Sequence, residues 1–117
     1  MSVKLVLTDI DGTVLPRGEK AVSPRTVAAF HAALDAGIAV GPASGRGYAW
    51  IPTFFGGHAA CCATALATNG MQIYVSGEKV MEQTLPVGAL ERVRAITAET
   101  PGAGLVCFDG MVPLVAS

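Results

Sequence analysis

The sequence predicts an α/β fold in which helices connect the strands of a parallel sheet. An apolar run at residues 3–8 ends directly on Asp9, and a second apolar run at residues 39–43 ends on Ser44. Helix signals fall between the two runs. Apolar runs of this length, followed at once by polar residues, are typical of strands buried on both faces of a parallel sheet. Because ligands bind beyond the carboxyl ends of such strands, the polar residues there are candidate site residues.

The first candidate site is the pair of carboxylates that follows the first strand. Carboxylates such as Asp9 and Asp11 cost free energy at the end of a buried strand. Their presence there suggests that they bind a cation or transfer a proton. Gly12 lets the backbone turn, so the two carboxylates can approach one centre from different angles. One could attack a phosphate while the other moves a proton, with Mg²⁺ relieving the anionic repulsion.

Two other interpretations of these carboxylates exist. Asp-x-Asp-Gly could be a turn that carries two solvated acids. An EF-hand loop is excluded, since a loop starting at Asp9 has Val14 where glycine is required, and one starting at Leu7 lacks its first ligand.

The helix between the two strands has clear boundary signals. Ser23 and Pro24 predict the N-cap and first position of a helix, and Gly37 predicts its end.

The residues after the second strand predict another helix and an anion site. Ser44 is expected to cap a helix whose free N–H groups could bind a phosphoryl oxygen, and Pro52 is expected to kink or end that helix. The alternative is an ordinary serine cap followed by a solvated Arg46.

A third strand is predicted to lead into a hairpin. Residues 65–74 contain Asn69-Gly70, a common hairpin signal, and residues 71–75 are expected to pair with residues 80–83. Asn69 could also contact a substrate. Beyond residue 85 the pattern changes to one helix within residues 86–100 and two short strands, at residues 105–108 and 111–115.

These segments resemble the haloacid dehalogenase-like (HAD) hydrolase superfamily, in its Cof-type, C2B-capped phosphatase branch. The resemblance lies in Asp9-Ile10-Asp11-Gly12-Thr13, in the Ser44-Gly45-Arg46 segment and in the stretch around Asn69. It implies the amino-terminal part of a Rossmann-like three-layer core at residues 1–84, and the beginning of an α+β cap at residues 85–117.

The resemblance also implies roles for individual residues. Asp9 would form an aspartyl-phosphate, and Asp11 would protonate the leaving group and then activate water. Mg²⁺ would bind Asp9 and the main-chain carbonyl of Asp11. The substrate would be a small phosphorylated metabolite, and its phosphate would contact Gly12, Thr13, Ser44, Gly45, Arg46 and Asn69.

The sequence departs from the family in one respect. The third-motif lysine and fourth-motif acidic pair of the family have no counterpart, and neither Lys79 nor Asp109 lies where a replacement is expected. The chain is therefore expected to be incomplete, with its first strand at a bare sheet edge through which it could self-associate. An inactive fragment or phosphate-binding interaction module stays open as an alternative. A nucleotide-binding unit ranks last, because Trp50 stands where the third glycine of its motif is needed.

Composition limits the remaining function classes. A net charge of −1 gives no electrostatic argument for binding nucleic acid or an anionic membrane. The hydrophobic content of 51% and mean hydropathy of +0.50 are high, but the uncharged stretch at residues 47–77 is broken by proline and glycine. No signal peptide is visible, so a cytoplasmic location is expected.

Overall fold

The computed structural model describes residues 2–116, which divide into two compact units, one up to Gln83 and one from Thr84 onward. The first unit contains strands β1 (Leu5–Thr8), β2 (Ala39–Pro42), β3 (Ala65–Ala67), β4 (Gln72–Val75) and β5 (Glu78–Glu82), and helices α1 (Pro24–Asp35) and α2 (Ile51–Phe54). The second unit contains helix α3 (Val87–Ala98) and strands β6 (Leu105–Asp109) and β7 (Val112–Ala116). The α/β fold class predicted from the sequence is confirmed.

The carboxyl ends of three parallel strands lie at one edge of the first unit. β1 and β2 pair in parallel, from Leu5 opposite Ala39 to Thr8 opposite Pro42. A parallel bridge between Ala43 and Leu66 joins the end of β2 to β3. β3 then pairs with β4, and β4 with β5, in antiparallel fashion. The residues that follow β1, β2 and β3 are therefore brought together.

Helix α1 has the boundaries that the sequence predicts. The Ser23 hydroxyl accepts a hydrogen bond from the backbone N–H of Thr26 at 3.2 Å, and Pro24 occupies the first turn. Gly37 follows the helix with a φ of 79°, a conformation that glycine adopts without strain.

Helices α1 and α3 have 12 residues each, and no helix within residues 2–116 is long and apolar enough to cross a membrane.

The predicted hairpin is present, and the two strands predicted in the second unit also pair with each other. β4 and β5 are joined by Ser76 and Gly77, both with positive φ, as a two-residue hairpin turn requires. β5 begins at Glu78, two residues earlier than expected. In the second unit β6 pairs with β7 across a turn that contains Gly110.

Ser44 does not cap the helix predicted after β2, so that prediction was wrong. The Ser44 hydroxyl accepts a hydrogen bond from the backbone N–H of Arg46 at 3.1 Å and closes a short turn instead of capping a helix. Helical structure begins later, with a 3₁₀ turn at Tyr48–Trp50 that leads into α2. Pro52 lies in the first turn of α2, where proline is tolerated, and it does not end the helix.

Strand β1 is not buried on both faces, which corrects a second prediction. Leu5 and Val6 are 50% and 43% exposed. β1 is also an edge strand: it pairs with β2 on one side, and no strand among residues 2–116 pairs with its other side. An apolar edge strand with unpaired backbone groups is a template for association with another chain.

We expect this edge to mediate self-association. Val6→Lys should lower the mass in solution measured by light scattering at high concentration, because an edge lysine opposes strand pairing. Val93→Lys is the control, since Val93 is 44% exposed but lies on α3. An equal effect of both substitutions, or a monomeric unsubstituted chain, would argue against association through β1.

Candidate functional site

The three segments that follow β1, β2 and β3 enclose a cleft of about 270 Å³. It is lined by Asp9, Ala43, Ser44, Gly45, Leu66, Asn69 and Gly70. The backbone of the cleft is fixed by hydrogen bonds between the second and third segments. The N–H of Ser44 donates to the Leu66 carbonyl at 2.9 Å, and the N–H of Asn69 donates to the Ser44 carbonyl at 3.0 Å.

The two carboxylates of the first segment flank a fully buried residue. Ile10 is 0% exposed and anchors the segment in the core, so Asp9 and Asp11 are both directed away from the core. Asp9 lines the cleft, and one of its oxygens accepts a hydrogen bond from the Thr13 hydroxyl at 3.3 Å. Gly12 has a φ of 77° in the turn that directly follows Asp11.

Asp11 forms a bidentate ion pair with Arg46. Nε and one terminal nitrogen of Arg46 donate to the two carboxylate oxygens at 2.9 and 2.7 Å. The guanidinium carbon also lies 4.3 Å from the centre of the Phe54 ring, within the range of a cation–π contact. Hydrogen bonding from Arg46, assisted by its charge, holds the pKa of Asp11 below its ordinary value. In this arrangement Asp11 is a carboxylate at neutral pH, the form in which it can accept a proton.

The third segment has an unusual backbone that places Asn69 against Gly45. Thr68, Asn69 and Gly70 all have positive φ, which is rare for a β-branched threonine. A side chain at position 45 would begin 2.9 Å from the Asn69 Oδ1, so the glycine makes room for this amide. The Thr68 N–H donates to the Arg46 carbonyl at 3.0 Å and ties the two segments together.

The structure brings some of the eight predicted site residues to the cleft. Asp9, Ser44, Gly45 and Asn69 line it, whereas the other four are not among its lining residues. These four are Asp11, Gly12, Thr13 and Arg46. Their catalytic and binding roles stay predictions.

One residue outside this set, Phe54, contacts a predicted site residue. The contact of Phe54 with Arg46 was not predicted, because it depends on tertiary packing and leaves no local sequence signal. Lys79 forms an ion pair with Glu82 on β5, and Asp109 ends β6 in the second unit. Within residues 2–116, no group of three or more His, Cys, Asp or Glu side chains is arranged to hold a metal ion.

Solved structures share the fold of this chain. A hypothetical protein from Geobacillus kaustophilus matches with a TM-score of 0.76 and 21% identity, over 97% of this chain and 43% of its own. A HAD phosphatase from Bacteroides thetaiotaomicron matches with a TM-score of 0.79 and 20% identity, over 97% and 41% of the two chains. A HAD subclass IIB sugar phosphatase matches with a TM-score of 0.77 and 24% identity, over 97% and 44%.

This chain therefore spans less than half the length of these structures. A search of curated proteins gave no match. A family model described as haloacid dehalogenase-like hydrolase matches residues 6–109, which is most of the chain. The family predicted from the sequence is confirmed: the chain belongs to the haloacid dehalogenase-like hydrolases.

Proposed function

We propose that the cleft is the phosphoryl-transfer site of a phosphatase, with Asp9 as its nucleophile. The observation that carries this proposal is the convergence of three strand ends on one cleft that contains the Asp9 carboxylate, the Ser44 hydroxyl and the Asn69 amide. A hydrolase of this family needs an attacking oxygen next to polar groups that hold the phosphate.

The reaction would proceed in two steps. An Asp9 oxygen attacks phosphorus, and the bond between phosphorus and the ester oxygen breaks. The departing oxygen takes a proton from Asp11, which must first separate from Arg46 and take up that proton from solvent. Asp11 then removes a proton from water, the water oxygen attacks phosphorus, and Asp9 and inorganic phosphate are released. The first step leaves Asp11 as a carboxylate, which can accept a proton from water. The second step leaves it protonated, as the next first step requires.

Phosphate would be held by backbone N–H groups and by short polar side chains. Ser44 and Gly45 line the cleft at the end of β2, and Asn69 faces Gly45 from the third segment. Gly12 and Thr13 would complete the contacts from the first segment, while Arg46 would supply positive charge.

The oxygen donors of the first segment fit Mg²⁺, on which the HAD superfamily generally depends. Mg²⁺ usually binds one or two carboxylates and completes its shell with water and substrate phosphate. The Asp9 carboxylate lines the cleft, and the main-chain carbonyl of Asp11 would be the second protein ligand. The ion would offset the repulsion between the carboxylate and the phosphate.

The substrate is proposed to be a small phosphomonoester, by analogy with the sugar phosphatase among the structural neighbours. Residues 1–84 would supply the core and residues 85–117 the beginning of a cap domain. A cytoplasmic location would suit a metabolite phosphatase.

A second candidate function is a phosphate-binding module without turnover. The observation that favours it is the bidentate ion pair, in which Arg46 occupies both oxygens of Asp11 and holds it as a carboxylate that has no proton to donate. We rank it below the phosphatase because Asp9 lines the cleft.

The role of Asp11 separates the two candidates. Asp11→Asn should slow hydrolysis of an aryl phosphate by about 10²–10⁴-fold, the usual contribution of general acid–base catalysis, and should trap the phosphoenzyme. Asp35→Asn is the control, since Asp35 is an exposed acid at the end of α1. A loss of under about tenfold with Asp11→Asn would indicate that Asp11 only positions the metal. No turnover by the unsubstituted chain would favour the binding module.

A further inference from the structure

Arg46 is attached to the cleft wall by its backbone and directed away from it by its side chain. Its N–H donates to the Ser44 hydroxyl at 3.1 Å, and its carbonyl accepts from the Thr68 N–H at 3.0 Å. Ser44 and Asn69, which follows Thr68, both line the cleft. The guanidinium of Arg46, in contrast, pairs with Asp11. Arg46 thus connects the proposed phosphate site to Asp11.

The ion pair is built in a way that allows exchange. The side chains of Arg46 and Asp11 are 39% and 52% exposed, so solvent screens their attraction and neither charge must be buried alone when they separate. The guanidinium fork matches a phosphate as well as it matches a carboxylate, since both present paired oxygens. The Phe54 ring supports the guanidinium without competing for its N–H donors.

We propose that Arg46 exchanges partners, releasing Asp11 and binding the phosphate when a phosphorylated ligand enters the cleft. This inference rests on the proposed phosphate site but concerns binding alone. Phosphate binding is thereby coupled to the release of Asp11 from Arg46. The Asp11 carboxylate is therefore available for proton transfer only when a ligand is bound. Arg46 is then both a phosphate ligand and the residue that positions Asp11 in the empty site.

A double-mutant cycle with inorganic phosphate as the probe tests this exchange. The four proteins are the unsubstituted chain, Asp11→Asn, Arg46→Gln and the double variant, with affinity measured by calorimetry at fixed pH, magnesium concentration and ionic strength. Asp11→Asn frees Arg46 and should strengthen phosphate binding by about tenfold, a coupling typical of contacting groups. In the Arg46→Gln background the same substitution should change affinity by less than about twofold.

The cycle separates exchange from simple removal of a negative charge. Asp11→Asn removes the same charge in both backgrounds, so equal strengthening in both would overturn the exchange. Absence of phosphate binding by all four proteins would overturn it as well. Turnover is not needed for this test, so an inactive chain that shows the coupling supports the exchange while contradicting the proposed phosphatase activity.

Two further variants guard against indirect effects. Asp35→Asn removes an exposed carboxylate outside the cleft and should leave phosphate affinity unchanged. Arg46→Lys keeps the charge but loses the bidentate fork, so it should give a smaller coupling with Asp11→Asn than arginine does. If Arg46→Gln does not fold, a lysine background with undiminished coupling would overturn the proposal.

Discussion

Asp9→Asn is expected to abolish hydrolysis of an aryl phosphate while leaving the fold intact. The amide is nearly isosteric with the carboxylate but is neutral and a poor nucleophile, so the covalent step cannot start. The Asp9 side chain is exposed and accepts a long hydrogen bond from the Thr13 hydroxyl, so the loss of its charge should cost the fold little. Turnover would be followed by phosphate release, and folding by circular dichroism and the thermal midpoint.

A matched substitution shows whether the loss is specific. Asp35→Asn also converts an exposed aspartate to asparagine, but at the end of α1, and should keep full turnover. If Asp9→Asn retained the rate of the unsubstituted chain, the covalent mechanism would be excluded.

The largest expected effect on stability is that of Gly41→Ala. Gly41 is buried in β2, and a Cβ at this position would overlap the backbone carbonyl of Thr64. Backbone cannot rotate away as a side chain can, so the strand would have to move. We expect the free energy of unfolding to fall by about 3 kcal/mol, the upper part of the range for overpacked cores. Phosphate binding should also weaken, because Ser44 follows this strand.

Gly37→Ala is the control for Gly41→Ala. Gly37 has a φ of 79° but open space around its Cβ position, so alanine there should cost only about 1–2 kcal/mol of backbone strain. Denaturant unfolding of both variants compares the steric and the conformational cost. An equal or smaller loss for Gly41→Ala would mean that β2 and residue 64 do not approach as closely as described.

Local signals in the sequence were sufficient where a short segment determines its own structure. Ser23, Pro24 and Gly37 define α1 because capping and helix termination act within a few residues. The apolar run before Asp9 predicts a strand end for the same reason, and the site residues follow from it. The family resemblance was recognisable because its motifs occupy the ends of successive strands.

The predictions that failed depend on distant parts of the chain or on competing local bonds. Burial of β1 depends on which elements pack over its two faces, and the sequence of β1 alone does not contain that information. Ser44 has the composition of a helix cap, but its hydroxyl closes a tighter turn with Arg46. The pairing of Arg46 with Asp11 joins residues 35 positions apart, so no local pattern indicates it.

The most direct test of the proposed mechanism is to identify the residue that becomes phosphorylated. Asp11→Asn would be incubated with an aryl phosphate and magnesium, quenched in acid and analysed by peptide mass spectrometry. We expect one added phosphoryl group on the peptide that contains Asp9, and none when Asp9→Asn is introduced as well. A phosphoryl group on another residue, or hydrolysis by the unsubstituted chain without any phosphorylated Asp9 in the Asp11→Asn variant, would contradict the assignment of Asp9 as the nucleophile.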